Sequence, residues 1–407
     1  LGLVLAPLAQ AKNVVFFLGD GMGVSTITAA RIFAGQQQGK SGEEYDLAFD
    51  RFDNVALIKT YNTDAQVPDS AGTITAIMTG QKTRIGVVGV DATVARDDCI
   101  ASLNGGLPSV AELAEDAGLS TGVVSTARIT HATPAGAYAH APNRNWEDSA
   151  SMPKEAAADG CKDIAQQLLD TPHGDGPEVI LGGGRAHFLP DSVADPEYAE
   201  KTGKRDDGAN LIDQWLAGAS GREYVWNRKD FLALMEKRAA DADSAGQFMG
   251  LFEPSHMQFE ADRANDPAGE PSLLEMTQFA LAEMQKSDRG YFLLIEAGRI
   301  DHAHHGSNAH RALVDTVALS DAVQWVVDHV NLEDTLILVT ADHSHTMTIS
   351  GYPRRGNPIL GLVENEPGKL AKDATGLPYT TLSYANGGGY KKRRLDLSEV
   401  DTTALNY

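Results

Sequence analysis

The chain runs almost unbroken in apolar residues over three short stretches, 13–18, 291–295 and 335–339. Runs of this length, with no alternation, suit strands buried on both faces of a parallel sheet. A further short run at 179–181 reads the same way. Helical periodicity fills the gaps between strands, as over 273–284 and 311–330. Alternating strands and helices predict an α/β fold, an open and mostly parallel sheet with helices on both faces. No internal repeat and no Gly/Ser or Pro-rich linker divides the chain, so residues 12–407 are expected to form a single domain.

Composition changes this picture in a few places. The 407 residues, 42% of them hydrophobic, are ample for one large core. The net charge of -22 argues against nucleic acid, whose backbone calls for basic stripes. It does not exclude an anionic substrate, because bound cations reverse a local field. The apolar opening is too short to span a bilayer, and no transmembrane segment is read elsewhere. It ends in Ala9, Gln10, Ala11, a small-residue cleavage pattern, so residues 1–11 read as the remnant of a signal peptide on an exported protein, periplasmic or secreted. The chain lacks the Met and basic start of such a peptide and is expected to be cut short at the front. Two cysteines, Cys99 and Cys161, are too few for a Cys-rich zinc site. They are either two buried thiols or one bridge, which over so long a loop would contribute about 4 kcal/mol.

The chemistry gathers where the strands end. Asp20 follows the first, Glu296, Asp301 and His305 the second, Asp342 and His343 the third. Ligands of open α/β sheets sit beyond the carboxyl ends of the strands, so these six side chains are expected to converge. One Asp after a strand is commonly a helix cap, but six at three strand ends are a donor set. Asp301 and His305 lie one helical turn apart and could chelate one zinc. Mixed carboxylate and imidazole suits zinc, whereas oxygen alone suits magnesium. Asp69 and Ser70 precede a helix-like stretch from Ile74. Either could simply cap it, but Ser70 at a helix N-terminus beside zinc would be an activated nucleophile. The segment Gly35 to Ser41 imitates a nucleotide-binding loop but is one residue short and follows no strand. Gly182, Gly183 and Gly184 read as a tight turn.

Taken together, the turn Gly19-Asp20-Gly21-Met22-Gly23, the triplet Asp69-Ser70-Ala71, the segments at 131–135, 143–146 and 296–305, and Thr340-Ala341-Asp342-His343-Ser344-His345 resemble the alkaline phosphatase family from about Lys12 onward. The phrasing is closer to the animal-type branch than to the enteric bacterial one, since His131 and His302 stand where the latter carries Asp and Lys. The resemblance implies hydrolysis of phosphate monoesters, small phosphorylated metabolites among them, through a phosphoserine on Ser70 at alkaline pH. Arg144 would hold two phosphate oxygens, with His131 and His302 on the substrate side. One zinc would take Asp20, Asp342 and His343. Magnesium would take Asp20, Thr133 and Glu296, with His131 near it through water. The second zinc would take Asp301, His305 and a histidine far down the chain. Cys99 and Cys161 would form a disulfide. Glu197, the Phe252 carbonyl, Glu253 and Glu270 would form a calcium-like site, and the molecule would be a homodimer. Segments about 185–270 and 350–407 would be insertions, the latter crown-like. No histidine follows His345, so the second zinc is expected to keep only two protein ligands and the chain to be cut short at its end too. A related phosphodiesterase or sulfatase, or a metal-binding protein without catalysis, are the other classes this pattern admits.

Overall fold

A computed structural model describes residues 11–241 and 246–385; the expected signal-peptide remnant and the last part of the crown-like segment lie outside them, apart from Ala11. Seven strands form the central sheet: β1 (Asn13–Gly19), β2 (Ser120–Arg128), β3 (Val179–Gly183), β4 (Arg222–Val225), β5 (Gln247–Leu251), β6 (Tyr291–Ala297) and β7 (Thr335–Ala341). Their order is β4-β5-β3-β2-β6-β1-β7, and every neighbouring pair is parallel. The three runs singled out by their apolar pattern are therefore neighbours, β6-β1-β7.

The lack of alternation has the expected cause. Along β1, Val14, Phe16 and Leu18 pack into one hydrophobic core, while Val15 and Phe17 enter the other. The first core holds Ala71, Ile74 and Met78 of the helix Ser70–Thr79. The second holds the buried faces of the helices Leu273–Met284 and Ala309–His329. The segment expected as an insertion at 185–270 supplies β4 and β5, so it extends the sheet rather than standing apart from it. Residues 347–385 leave the sheet and form two small antiparallel pairs, Met347–Ile349 with Leu382–Tyr384 and Glu364–Glu366 with Lys369–Leu370. Among the described residues no helix is long and apolar enough to cross a membrane.

Register fixes the site. Gly19 pairs with Ala297 on one side and Ala341 on the other, so β1, β6 and β7 end level. Asp20 and Asp342 thus leave adjacent strands at the same height, with Glu296 two residues below. Cys99 and Cys161 are bonded, with their Cα atoms 6.0 Å apart.

Candidate metal centre

Four carboxylates, Asp20, Glu296, Asp301 and Asp342, are buried together beyond the strand ends. Asp342 is held in place by three donors: the Gly21 N–H at 3.0 Å, its neighbour's N–H (His343) at 2.8 Å and the Thr73 hydroxyl at 3.2 Å. The turn after β1 must carry glycine. Gly21 has φ +66°, and a Cβ there would lie 2.6 Å from the His345 ring and 3.1 Å from an Asp301 oxygen. His343 Nε2 lies 3.4 Å from Asp20 and 3.2 Å from Asp342.

Such crowding is costly without a compensating cation. Burial, then the charges of Asp342, Asp301 and Glu296, hold the Asp20 carboxyl well above the usual range. Burial first, and Asp342 and Asp301 after it, push Glu296 up to about 7. One oxygen of Glu296 and the Thr133 hydroxyl are buried with no hydrogen-bond partner. Burial alone would raise Asp301 too, but the His345 hydrogen bond and the neighbouring imidazoles outweigh it and hold its carboxyl well below the ordinary value. The donors fall into overlapping groups whose ligand atoms lie within 4.8 Å of one another: Asp20, His131 and Glu296; Asp20, Asp301 and His343; Asp301, His305 and His345. Orphaned oxygens, excess negative charge and this donor chemistry all fit divalent metals, magnesium beside Glu296 and Thr133, zinc beside the imidazoles.

The serine stands at the edge of this group. Asp69 is the cap of the helix Ser70–Thr79, accepting the Gly72 N–H at 3.1 Å, and Ser70 is its first residue. Ser70 Oγ lies 3.3 and 3.4 Å from the Asp20 oxygens and 3.3 Å from His343 Nε2. Asp69 also accepts from Asn62 at 2.9 Å, from the Gly86 N–H at 3.1 Å and from Arg144 Nη1 at 3.0 Å. Burial would raise its pKa, but Arg144 and the Gly72 and Gly86 amides lower it. One carboxylate therefore fastens the serine helix to the arginine. Arg144 Nη2 meets His131 Nε2 at 3.1 Å, and its loop is tied down by the Arg144 N–H to Gly86 O bond at 2.9 Å. Trp146, two residues on, packs with the Cys99–Cys161 bridge.

Asp20, Ser70, His131, Glu296, Asp301, His305, Asp342 and His343 lie together, with Arg144 against His131 and His302 on the far side of that ring. Two contributors to the centre were missed. Asp69 read only as a cap. His345 joins Asp301 and His305 in a group that could offer three ligand atoms, where the sequence reading offered two. Its signal was its spacing, two residues past His343 in one turn. His256, on a remote loop, was missed as well; it meets His131 and His302 rather than the carboxylates and gave no local signal. The calcium-like set also changes. Glu197 and Glu253 group with Asp266 rather than with Glu270. Glu270 turns toward the Gln258 N–H, 2.8 Å away, and burial first, with Glu253 and Asp266 adding to it, pushes it up to about 9. Phe252 is buried beside Glu253 in the neighbouring core.

Comparison with known proteins places this geometry. The family model described as alkaline phosphatase matches residues 11–405. The tissue-nonspecific alkaline phosphatase of Gallus gallus is 46% identical over 406 residues, 98% of this chain and 75% of that protein. The crystal structure of Thermus thermophilus alkaline phosphatase superimposes with a TM-score of 0.66 at 28% identity, covering 85% of this chain and 63% of that one. A variant of the alkaline phosphatase from the Antarctic bacterium TAB5, solved with Mg bound in its M3 site, shares the fold with a TM-score of 0.65 at 24% identity, over 93% and 88% of the two chains.

Proposed function

Because the chain belongs to the alkaline phosphatase family of phosphomonoester hydrolases, we propose that it hydrolyses phosphate monoesters through a phosphoserine on Ser70 at a centre of two zinc ions and one magnesium. The observation that carries this reading is Ser70 Oγ at a helix N-terminus, within 3.4 Å of both Asp20 and His343. Asp20, Asp342 and His343 would hold one zinc, and Asp301 and His305, with His345 in reach, the other. Asp20, Thr133 and Glu296 would hold magnesium, with His131 beside it. Bound there, the ions would lower the pKa of a coordinated oxygen and offset charge on the transferring phosphoryl group.

The chain's own residues do the rest. Arg144 aligns two phosphate oxygens with its planar fork, while Asp69 keeps that fork aimed. His131 and His302 line the substrate side. The Ser70 proton leaves toward the Asp20 and His343 side, and Oγ attacks phosphorus in line. The Oγ–P bond forms as the ester P–O bond breaks and the alcohol departs with a proton. Water then adds to phosphorus, the P–Oγ bond breaks, and inorganic phosphate leaves as Ser70 regains its proton. The helix N-terminus favours the anionic oxygen in both steps. High pH favours deprotonation of both nucleophiles, so an alkaline optimum follows. Recognition rests on the phosphoryl group, so small phosphorylated metabolites in general are the substrate class. The disulfide supports an exported, periplasmic or secreted enzyme. A homodimer and a calcium ion at Glu197, Glu253 and Asp266 complete the proposal.

The test is Ser70→Ala. Turnover of an aryl phosphate should fall by several orders of magnitude, and labelled phosphate should no longer become bound to protein. Unchanged turnover would overturn the mechanism.

A further inference from the structure

Behind the phosphate arginine lies a second cluster that the proposed reaction does not use as a unit. His131, His256 and His302 bring one ring nitrogen each to within 4.8 Å of the others. They come from three parts of the fold: the turn after β2, the loop after β5 and the helix Arg299–His305 that follows β6. The ring centroids are 5.2 Å apart for His131 and His256, 5.4 Å for His131 and His302, and 4.0 Å for His256 and His302. Three imidazoles around one tetrahedral ion, with metal–nitrogen bonds of about 2.0–2.1 Å, place their centroids about 5 Å apart. Two pairs already have that spacing, and the third needs to open by about 1 Å.

The Nδ1 atoms of His131 and His302 are buried with no hydrogen-bond partner; on His131 the lone pair lies on Nε2, toward Arg144, until the ring exchanges tautomer for metal. His256 carries a further tension. Its Nδ1 faces the Arg128 N–H at 3.2 Å, and its Nε2 faces the Arg128 guanidinium. A neutral imidazole has one lone pair, so one of those contacts sets N–H against N–H. The loop itself is fixed: the Ser255 carbonyl accepts the Gly184 N–H at 2.7 Å, and the Met257 N–H donates to Thr126 O at 3.1 Å. The nearby cations oppose a metal ion, but two of them carry their own carboxylate, Arg128 with Glu147 at 2.7 Å and Arg144 with Asp69 at 3.0 Å. Arg299 lies over the Phe259 ring.

We propose that His131, His256 and His302 form an additional site for a transition-metal dication of the zinc class, which shares only His131 with the carboxylate-rich centre. Tri-imidazole coordination selects zinc, cobalt or nickel over magnesium and calcium, and it leaves a fourth position open beside the substrate arginine. The inference goes beyond the proposed hydrolysis and does not require it.

The experiment is equilibrium dialysis of the whole chain against zinc with magnesium present, with zinc counted per chain. Wild type is compared with His256→Ala and with His256→Phe, which keeps a ring in place. Both variants should bind one zinc fewer than wild type and keep their aryl phosphatase turnover. A Ser70→Ala chain should keep the extra ion, which separates failure of this site from failure of the hydrolytic reading. Cobalt substitution provides a readout that needs no variant: one added cobalt should show the absorption of a histidine-only tetrahedral site. Equal zinc counts in wild type and both His256 variants would overturn the proposal. So would a wild type that takes up no additional cobalt, or one that binds inorganic phosphate at this position in place of metal.

Discussion

Gly72 lies in the first turn of the helix that presents Ser70, and no side chain fits there. A Cβ at Gly72 would sit 2.4 Å from Asn62 Oδ1 and 2.7 Å from its Cγ. Asn62 is buried, bonded to Asp69 at 2.9 Å, and held in a bridge with Ala65. It cannot swing out without losing its hydrogen bond to Asp69, the helix cap. Relieving the overlap therefore takes a shift of about 1 Å, either in Asn62 or in the start of the helix. A 1 Å misplacement of a reacting group costs about 100-fold in rate. Overpacking costs about 1–3 kcal/mol, and replacing a helical glycine by alanine returns about 1 kcal/mol. Gly72→Ala should thus lose about 1 kcal/mol of stability in urea unfolding, yet about 100-fold in kcat toward an aryl phosphate. Adding Asn62→Ala removes the obstructing atoms, at the cost of one hydrogen bond worth about 1 kcal/mol. The double variant should recover at least tenfold in kcat over Gly72→Ala, a coupling of about 1.4 kcal/mol. Wild-type turnover in Gly72→Ala, or no recovery in the double variant, would refute the claim that this contact sets the position of Ser70.

Other expectations concern stability and metal. Burial, then Glu115, pushes the Glu178 carboxyl up to about 8. A carboxyl with a raised folded pKa contributes most below its ordinary value near 4.5 and loses that contribution as pH climbs toward 8, at about 1.4 kcal/mol per unit. Glu178→Gln should therefore gain a few kcal/mol over wild type at pH 9 and little at pH 4.5, and a pH-independent difference in urea unfolding would contradict this. Replacing Cys99 and Cys161 by serine opens a loop spanning 62 residues and should cost about 4 kcal/mol in chemical unfolding; a loss under 1 kcal/mol would show that the bridge constrains little. Thr133→Val removes a buried hydroxyl that has no protein partner. Metal analysis should show weaker magnesium retention with zinc unchanged, and equal magnesium affinity would remove Thr133 from the ligand set.

The strands and their contents were legible because burial on both faces leaves an unmistakable apolar run. The same parallel arrangement obliges the ends of β1, β6 and β7 to meet. Asp20, Glu296 and Asp342 could thus be placed together before any coordinates. Ser70 needed more, since a serine after an aspartate reads equally well as a cap; the structure gives the cap to Asp69. What stayed hidden depended on distant loops. His256 reaches His302 only because the loop after β5 is clamped against the ends of β2 and β3. Asp266 displaces Glu270 because the polypeptide between them turns Glu270 toward the Gln258 amide. Neither direction is written in local periodicity. β4 and β5 were missed as sheet members because they are short strands inside a stretch that otherwise reads as loops and helices.

The position of Asp20 has a thermodynamic consequence. Its carboxylate belongs to two donor groups at once, one with His131 and Glu296, the other with Asp301 and His343. Two ions that share a ligand cannot be independent. Whatever factor magnesium occupancy applies to zinc affinity, zinc occupancy must apply to magnesium affinity, because linkage between equilibria is reciprocal. Under the proposed zinc and magnesium occupancy, loading should be coupled and insensitive to order at equilibrium, and a chelator that strips one ion should change its neighbour's affinity by the same free energy.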